Sequence, residues 1–147
     1  MKALVIGATG ATGRELVQLL IKDDDFDQVT IFVRNAPAIK HEKLKIHVID
    51  FKEIEKNKDL TKGDILFSAL GTTKKDAGGK DQQYEIDYTY QYEFSKIAAE
   101  NGVGQLSLVS SVGANSKSSF FYPKIKGALE EAVKKLKFKK IDIFQPP

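Results

Sequence analysis

The chain has 147 residues, of which 41% are hydrophobic and 29% are charged, a composition typical of one folded domain. It contains no cysteine, which excludes thiol nucleophiles, disulfides and thiolate metal sites. The formal net charge is only +3, and arginine occurs at just two positions, which is not the profile of a nucleic-acid-binding protein. No apolar run reaches the roughly 18 residues of a membrane span, and Gly7 interrupts the first apolar run too early for a signal peptide. We therefore expect a cytoplasmic protein with no membrane partner.

Apolar runs of strand length alternate with helical patterns throughout the chain. The predicted strands are Lys2–Ile6, Val29–Val33, Leu44–Ile49, Asp64–Leu70, Gln105–Ser110 and Ile141–Phe144. Most of them are apolar on both faces, which favours a parallel sheet covered by helices on both sides. With right-handed crossovers, the pattern predicts an α/β fold over residues 1–147, a doubly wound sheet of order 3-2-1-4-5-6 that binds ligands at the carboxyl ends of its strands.

Three helices are predicted between these strands. The first ends near Lys22, because the acids that follow would oppose the negative end of the helix dipole. The second covers Gln83–Asn101 and stops at Gly102, and the third opens at Pro123 and runs through Leu136. The second helix carries an aromatic stretch that we expect to make core and helix–helix contacts, so this helix is a candidate homodimer interface. The stretch consists of Tyr84, Tyr88, Tyr90 and Tyr92.

A glycine-rich turn joins the first strand to the first helix. Its sequence is Gly7-Ala8-Thr9-Gly10-Ala11-Thr12-Gly13, a GxxGxxG pattern at the position of a nucleotide phosphate site. Gly7 permits the tight turn, Gly10 lets a pyrophosphate approach the backbone, and Gly13 lets the helix pack on the sheet. The threonine hydroxyls could add donors, and the helix N-terminus favours an anion. The turn therefore predicts a dinucleotide site.

Arg34 stands at the end of the second strand, where NAD-binding proteins usually carry an acid that binds the ribose 2′-hydroxyl. A guanidinium at this position is suited to the 2′-phosphate of NADP. We therefore expect NADP as the cofactor, with NAD less favoured. The alternative is that Arg34 simply ends the strand in solvent.

Two further segments are expected to line the same crevice. Asp50 and the amide of Phe51 follow the third strand and could receive the adenine amine, although a plain strand-ending aspartate fits almost as well. Small residues close the fourth strand, where bulk would collide with the ribose or the pyrophosphate. They are Ala69, Leu70, Gly71, Thr72 and Thr73.

A second group of residues suggests acid–base chemistry. Ser110 and Ser111 end the fifth strand, and Tyr122 and Lys126 follow at a spacing of one helical turn. A phenol with the ordinary pKa near 10 is a poor catalyst at neutral pH until a nearby ammonium, together with the oxidised nicotinamide, lowers that pKa. Because Pro123 disfavours helical dihedrals in the residue before it, we expect Tyr122 at the helix cap.

Together these motifs resemble those of the short-chain dehydrogenases/reductases. GxxGxxG is typical of the atypical or extended branches, and residues 67–73, 109–114 and 121–127 are similar to the Tat-interacting-protein oxidoreductases and to NmrA-like proteins. The resemblance implies that Tyr122 donates a proton to the substrate carbonyl and that Lys126 holds the nicotinamide ribose and lowers the pKa of the tyrosine. It also implies that Ser110 or Ser111 binds the substrate oxygen, and the spacing fits either serine.

The resemblance has consequences for the end of the chain and for function. Pro146 resembles a family proline and is a candidate cofactor contact. Members of the family continue beyond this proline with segments that build a substrate lobe. We therefore expect either a truncated chain or a pocket that is open to water. The predicted function is that of an NADP-dependent oxidoreductase, which transfers hydride between the nicotinamide and a small carbonyl or alcohol substrate. The alternative is a non-catalytic, NADP(H)-binding, redox-sensing regulatory protein.

The remaining polar groups suggest no further site. His41 and His47 lack companions for a metal site, so no metal is expected. The lysine-rich residues 134–140 are interpreted as a solvated face, with nucleic-acid binding as the weaker alternative. Glu130 and Glu131 are expected to form i,i+4 surface pairs with lysines of the same helix, Lys134 and Lys135.

Overall fold

The apolar runs form one parallel six-stranded sheet in the computed structural model, which describes residues 1–71 and 74–147. The strands are β1 (Lys2–Ile6), β2 (Gln28–Val33), β3 (Leu44–Val48), β4 (Ile65–Ser68), β5 (Gln105–Val109) and β6 (Lys140–Phe144). Their order is β3-β2-β1-β4-β5-β6, and every neighbouring pair is parallel. The predicted doubly wound sheet is confirmed, and strand ends differ from the prediction by one or two residues.

Helical segments cover this sheet. They are α1 (Ala11–Lys22), a 3₁₀ segment (Phe51–Leu60), α2 (Lys74–Ala77), α3 (Lys80–Tyr84), a π segment (Glu85–Tyr90), α4 (Gln91–Glu100) and α5 (Phe121–Lys134). From α3 to α4 the helix is continuous, and we call residues 80–100 the central helix. The central helix ends just before Gly102, as predicted. Residues 34–43, all of which are described, contain no helix, so the predicted strictly alternating pattern fails between β2 and β3.

The two faces of the sheet are buried under different layers. Ala3 and Val5 of β1 pack in the cluster that includes α1, whereas Leu4 and Ile6 pack with the central helix and α5. All four side chains are at most 1% exposed. Since successive residues of a strand point to opposite faces, a run without polar residues is stable only with cover on both sides. Within the described residues, no helix is long and apolar enough to cross a bilayer.

The start of α5 differs from the prediction. Phe120 is the N-cap, so Tyr122 lies in the first helical turn and not at the cap, and Pro123 follows it inside the helix. A proline is tolerated here because the first N–H groups of a helix have no intrahelical acceptor and no preceding turn meets the proline ring. The helix also ends at Lys134, before Leu136.

Candidate functional site

Two adjoining clefts open at the carboxyl edge of the sheet. The wide cleft, of about 430 Å³, lies between the glycine-rich turn, the ends of β2 and β3 and the central helix. The narrow cleft, of about 220 Å³, lies between β5, the start of α5 and the end of the chain. Ala69, Leu70 and Gly71 line both clefts. The two clefts therefore adjoin at these residues, and we call them together the crevice; they lie where doubly wound sheets bind their ligands.

The three glycines of the turn have separate roles. Gly7 has a positive φ of 84°, and a Cβ there would lie 2.3 Å from the Ala69 carbonyl carbon. A Cβ at Gly13 would lie 1.8 Å from the Gly7 carbonyl oxygen, so this glycine allows α1 to pack against the turn. A Cβ at Gly10 would touch only the Gly7 oxygen, at 3.6 Å. The fold therefore requires glycine at Gly7 and Gly13, whereas at Gly10 it leaves space in front of the helix.

The start of α1 is suited to an anion. Its N-cap is Gly10, which has no side chain with which to cap the first-turn N–H groups. Thr9 lines the wide cleft and Thr12 lines the narrow one, so both predicted hydroxyls border the crevice. Among the described lining residues of the two clefts, Ala11 and Gly13 do not occur.

Arg34, Asp50 and Phe51 all line the wide cleft, where the sequence placed the adenosine part of a cofactor. Arg34 is exposed. One oxygen of Asp50 accepts a hydrogen bond from the Lys52 backbone N–H at 2.9 Å and so caps the 3₁₀ segment. The aspartate thus has a structural role as well as a position in the cleft. Thr72 and Thr73, predicted to line the same crevice, lie outside the described residues.

The far wall of the wide cleft comes from the central helix, and the sequence analysis missed it. Tyr90 lines this wall, packs on Phe51 at 5.7 Å between ring centroids and donates a hydrogen bond to Glu85. Burial, followed by the bond and the charge of Glu85, raises the pKa of Tyr90 above its usual value. Residues five apart share a side of a π turn, which is why Glu85 and Tyr90 meet. Tyr84, Tyr88 and Tyr92 instead stack on one another, with centroids 5.0 and 6.0 Å apart.

The narrow cleft brings the predicted catalytic residues together. Ser110, Ser111, Tyr122, Lys126 and Pro146 all line it. Lys126 Nζ lies 5.7 Å from the centroid of the Tyr122 ring, as the one-turn spacing suggested. The lysine is 2% exposed and the tyrosine 39% exposed. Tyr122 is therefore accessible from solvent, whereas Lys126 lies at the buried floor of the cleft.

The two serines have different surroundings. Ser110 is buried and donates to Glu130 at 2.6 Å, and Gln145 donates to the same carboxylate at 3.0 and 3.1 Å. Ser111 is partly exposed and donates to the Val112 carbonyl at 3.2 Å, and it lines the narrow cleft together with Tyr122, whose pKa it acts to lower. The Ser110 hydroxyl is thus already hydrogen-bonded within the protein, whereas Ser111 lies near the phenol.

The prediction that the glutamates of α5 form surface pairs with lysines of the same helix is wrong. Glu130 is only 8% exposed, because its side of α5 packs beneath the end of β5, where it meets Ser110. Glu131 is exposed but accepts a hydrogen bond from Ser116 at 2.7 Å. An i,i+4 spacing allows a surface pair, but tertiary packing decides whether the side is exposed.

A buried carboxylate, Asp87 of the central helix, lies against the predicted catalytic lysine. Its Oδ1 is 3.7 Å from Lys126 Nζ, an ion pair longer than a hydrogen bond. Burial lowers the pKa of Lys126 below its usual value, and the charges of Asp87 and Glu130 act to raise it. Asp87 belongs to a four-residue repeat of buried polar side chains that could have been recognised in the sequence. The repeat is Gln83, Asp87 and Gln91.

The expectation that Lys126 lowers the pKa of Tyr122 is wrong for this structure. Burial raises the pKa of Tyr122 above 10, the negative charge of Asp87 raises it further, and the hydrogen bond with Ser111 acts to lower it. Asp87 thus acts on the phenol in the direction opposite to that expected of an ammonium.

The fold and the crevice define an NAD(P)-binding Rossmann protein with an oxidoreductase-like fold. The chain belongs to the NAD(P)H-binding family, whose model matches residues 7–140. It is 38% identical to protein FMP52-1, mitochondrial, of Scheffersomyces stipitis, covering 99% of this chain and 66% of that protein. It is 32% identical to protein HTATIP2 of Rattus norvegicus, covering 97% of this chain and 60% of that protein. The chain thus spans about two thirds of the length of these relatives.

The solved structures agree on the fold. The Bordetella bronchiseptica enzyme WbmH, in complex with NAD+, superposes with a TM-score of 0.81 at 14% identity, covering 98% of this chain and 55% of that one. At this identity the likeness concerns the Rossmann fold alone.

The relatives correct one prediction. Those named Fmp52 are called mitochondrial in their names, so the cytoplasmic location predicted from the sequence is wrong. That prediction used the first residues and the lack of a long apolar run, and neither reports the compartment in which a Rossmann domain works.

Proposed function

We propose that the protein is an NADP-dependent oxidoreductase that interconverts a small carbonyl compound and its alcohol. The observation that carries the proposal is the crevice itself. It joins a glycine-rich turn with space at Gly10 to a second cleft that holds Ser111, Tyr122 and Lys126. A cofactor extended along it would have its phosphates at the turn and its reactive end beside the phenol.

The residues present fit a dinucleotide. The space that a Cβ at Gly10 would fill lies directly before the uncapped N-terminus of α1, where N–H groups and the helix dipole favour a diphosphate. The wide cleft offers Phe51 and Asp50 to an adenine, and the narrow cleft offers Lys126 to a ribose. When bound, the nicotinamide supplies or accepts the hydride.

The side chains of the narrow cleft then handle the proton and the substrate oxygen. In the reducing direction, Tyr122 donates its phenolic proton to the oxygen of the carbonyl as the carbon becomes an alcohol carbon. Ser111 donates a hydrogen bond to the same oxygen and so favours its developing negative charge. Tyr122 is 39% exposed, so it can regain a proton from water. Ser110 supports this arrangement by fixing the end of β5 to Glu130.

The preference for NADP is supported by Arg34. Its guanidinium borders the wide cleft beside the glycine-rich turn, where a 2′-phosphate would receive a bidentate contact. We expect calorimetric titration to show NADPH binding at least tenfold tighter than NADH, about 1.4 kcal/mol. Equal affinities would contradict the preference.

A second candidate function is cofactor binding without turnover, as in a redox-sensing regulatory protein. The observation that favours it is the raised pKa of Tyr122, since a phenol held above its usual pKa is a weaker acid. Tight NADPH binding together with a complete lack of turnover would favour this candidate.

The test of the oxidoreductase proposal is NADPH oxidation against a panel of aldehydes, ketones and quinones. We expect Tyr122→Phe to lower turnover by at least a hundredfold, since general acid catalysis contributes about 10²–10⁴-fold. Tyr84→Phe is the matched control, because Tyr84 is 41% exposed and Tyr84 is not among the described residues of either cleft. Full activity of Tyr122→Phe, or no turnover with any carbonyl, would refute the proposal.

A further inference from the structure

The ion pair between Asp87 and Lys126 lies at the floor of the proposed active site. Both side chains are almost completely buried, at 0% and 3% side-chain exposure. Burying two charges costs desolvation free energy that a solvent-exposed ion pair does not lose. A pair of apolar side chains of similar volume would often make the protein equally stable. Stability alone is therefore a poor reason for this pair, and its position beneath the cleft suggests a functional one.

The structure fixes Asp87 relative to the sheet. Ser68, the last residue of β4, donates to Gln91 at 2.7 Å, and Gln91 donates to the Asp87 backbone carbonyl at 2.9 Å. Asp87 itself lies in the π segment of the central helix, and such segments are frequent at functional sites. The backbone at Asp87 is thus held from the end of a central strand.

Gly71 lies directly against the pair at the cleft wall. A Cβ at this glycine would be 3.2 Å from Asp87 Oδ1 and 4.0 Å from Lys126 Nζ. Because Gly71 has no side chain, little separates the Asp87–Lys126 pair from the crevice. A group bound at Gly71 would lie close to the ammonium.

Three titratable side chains face Lys126 among the described residues: Asp87 from the central helix, and Glu130 and Tyr122 from α5. Glu130 is occupied by Ser110 and Gln145. Tyr122 approaches with its ring face. Asp87 is therefore the carboxylate that directly compensates the lysine charge.

We propose that Asp87 is a positioning residue that keeps Lys126 protonated and fixed at the floor of the narrow cleft. Asp87 acts through the lysine and does not contact substrate. Its catalytic consequence rests on the proposed oxidoreductase function, whereas its effect on the charge of Lys126 does not.

The first test is an NMR pH titration of the Lys126 Nζ resonance, assigned by its loss in Lys126→Met. Burial lowers the pKa of Lys126 and Asp87 opposes this effect, so Asp87→Asn should move the titration to lower pH. Asp142→Asn is the matched control: Asp142 pairs with Lys140 at the same distance of 3.7 Å, but that pair is 63% and 43% exposed. An unchanged Lys126 titration in Asp87→Asn would overturn the proposal.

The second test is catalytic. Asp87→Asn should lower turnover at neutral pH at least tenfold and move the alkaline limb of the pH profile to lower pH, because Lys126 loses its proton earlier. A shifted lysine titration in a protein that turns over no carbonyl would support the role of Asp87 and refute the oxidoreductase proposal. A wild-type pH profile in Asp87→Asn would contradict the role of Asp87 and leave the proposed function standing.

A third variant covers the case in which Asp87→Asn does not fold. The double variant Asp87→Asn/Lys126→Met removes both charges and should melt at a higher temperature than Asp87→Asn, since it leaves no uncompensated buried ammonium. A double variant that is no more stable than Asp87→Asn would contradict the charge pairing.

Discussion

Alanine substitutions at Gly10 and Gly13 should separate binding from folding. Both glycines belong to the same turn, yet their surroundings differ. The Gly10 backbone, at φ −75° and ψ 171°, is accessible to alanine, and the new Cβ would meet only the Gly7 oxygen at 3.6 Å. At Gly13 the Cβ would lie 1.8 Å from that oxygen, far closer than van der Waals contact allows.

The magnitudes follow from these contacts. Alanine at the N-cap costs about 0.5–1 kcal/mol, and the loss of unfolded-state entropy offsets about 0.4–1 kcal/mol of this. Gly10→Ala should therefore change the melting temperature by at most about 4 °C. Gly13→Ala gains about 1 kcal/mol of helix propensity but overpacks the turn by about 3 kcal/mol or more. A net loss of about 2 kcal/mol corresponds to a melting temperature about 4–8 °C lower.

For cofactor binding, Gly10→Ala should have the large direct effect, although it is the milder variant for stability. A methyl group at Gly10 occupies the space proposed for the diphosphate, so NADPH affinity should fall at least tenfold, about 1.4 kcal/mol. Thermal denaturation and calorimetric titration of the two variants check both effects. Wild-type NADPH affinity in Gly10→Ala would refute the placement of the diphosphate, and equal melting temperatures for the two variants would refute the packing argument.

Two further predictions concern the cleft walls. Arg34→Leu should weaken NADPH binding at least tenfold and leave NADH binding unchanged. Lys134→Met, which removes a positive charge far from the cleft, is the control. Equal losses of affinity for the two cofactors would contradict a 2′-phosphate contact. Ser110→Ala should lower the free energy of unfolding by about 1–3 kcal/mol because Glu130 loses a buried donor, whereas Ser111→Ala should cost less than about 0.5 kcal/mol but lower turnover. Denaturant unfolding and steady-state assays of the two variants check these roles. Turnover that depended on Ser110 alone would contradict the role given to Ser111.

The buried pair also changes how the site is understood to work. A lysine one turn from a tyrosine suggests an ammonium that promotes phenolate formation, but that reasoning treats the lysine charge as uncompensated. Asp87 lies 3.7 Å from the lysine, and burial together with the charge of Asp87 raises the pKa of Tyr122. Under the proposed function, activation of the phenol would therefore depend on what is bound in the crevice.

The sequence by itself determined the sheet and the position of the crevice. Strand runs without a polar face require a parallel, doubly covered sheet, and its carboxyl edge collects the glycine-rich turn, Arg34 and the Tyr122–Lys126 pair. These features are local in the chain or follow from topology, so periodicity and short motifs suffice to predict them.

Only the tertiary structure decided which polar side chains are buried and with what partners. Glu130 has the spacing of a surface pair but packs against Ser110. The four-residue spacing of Asp87 with Gln83 and Gln91 marks a shared side of the helix, but only the tertiary structure shows that Asp87 meets Lys126 from another element. Tyr90 separates from its neighbouring tyrosines because a π segment changes the direction of its side chain. Each outcome depends on which side of a helix contacts the rest of the protein, and amphipathic periodicity cannot settle this where polar residues occur on both sides.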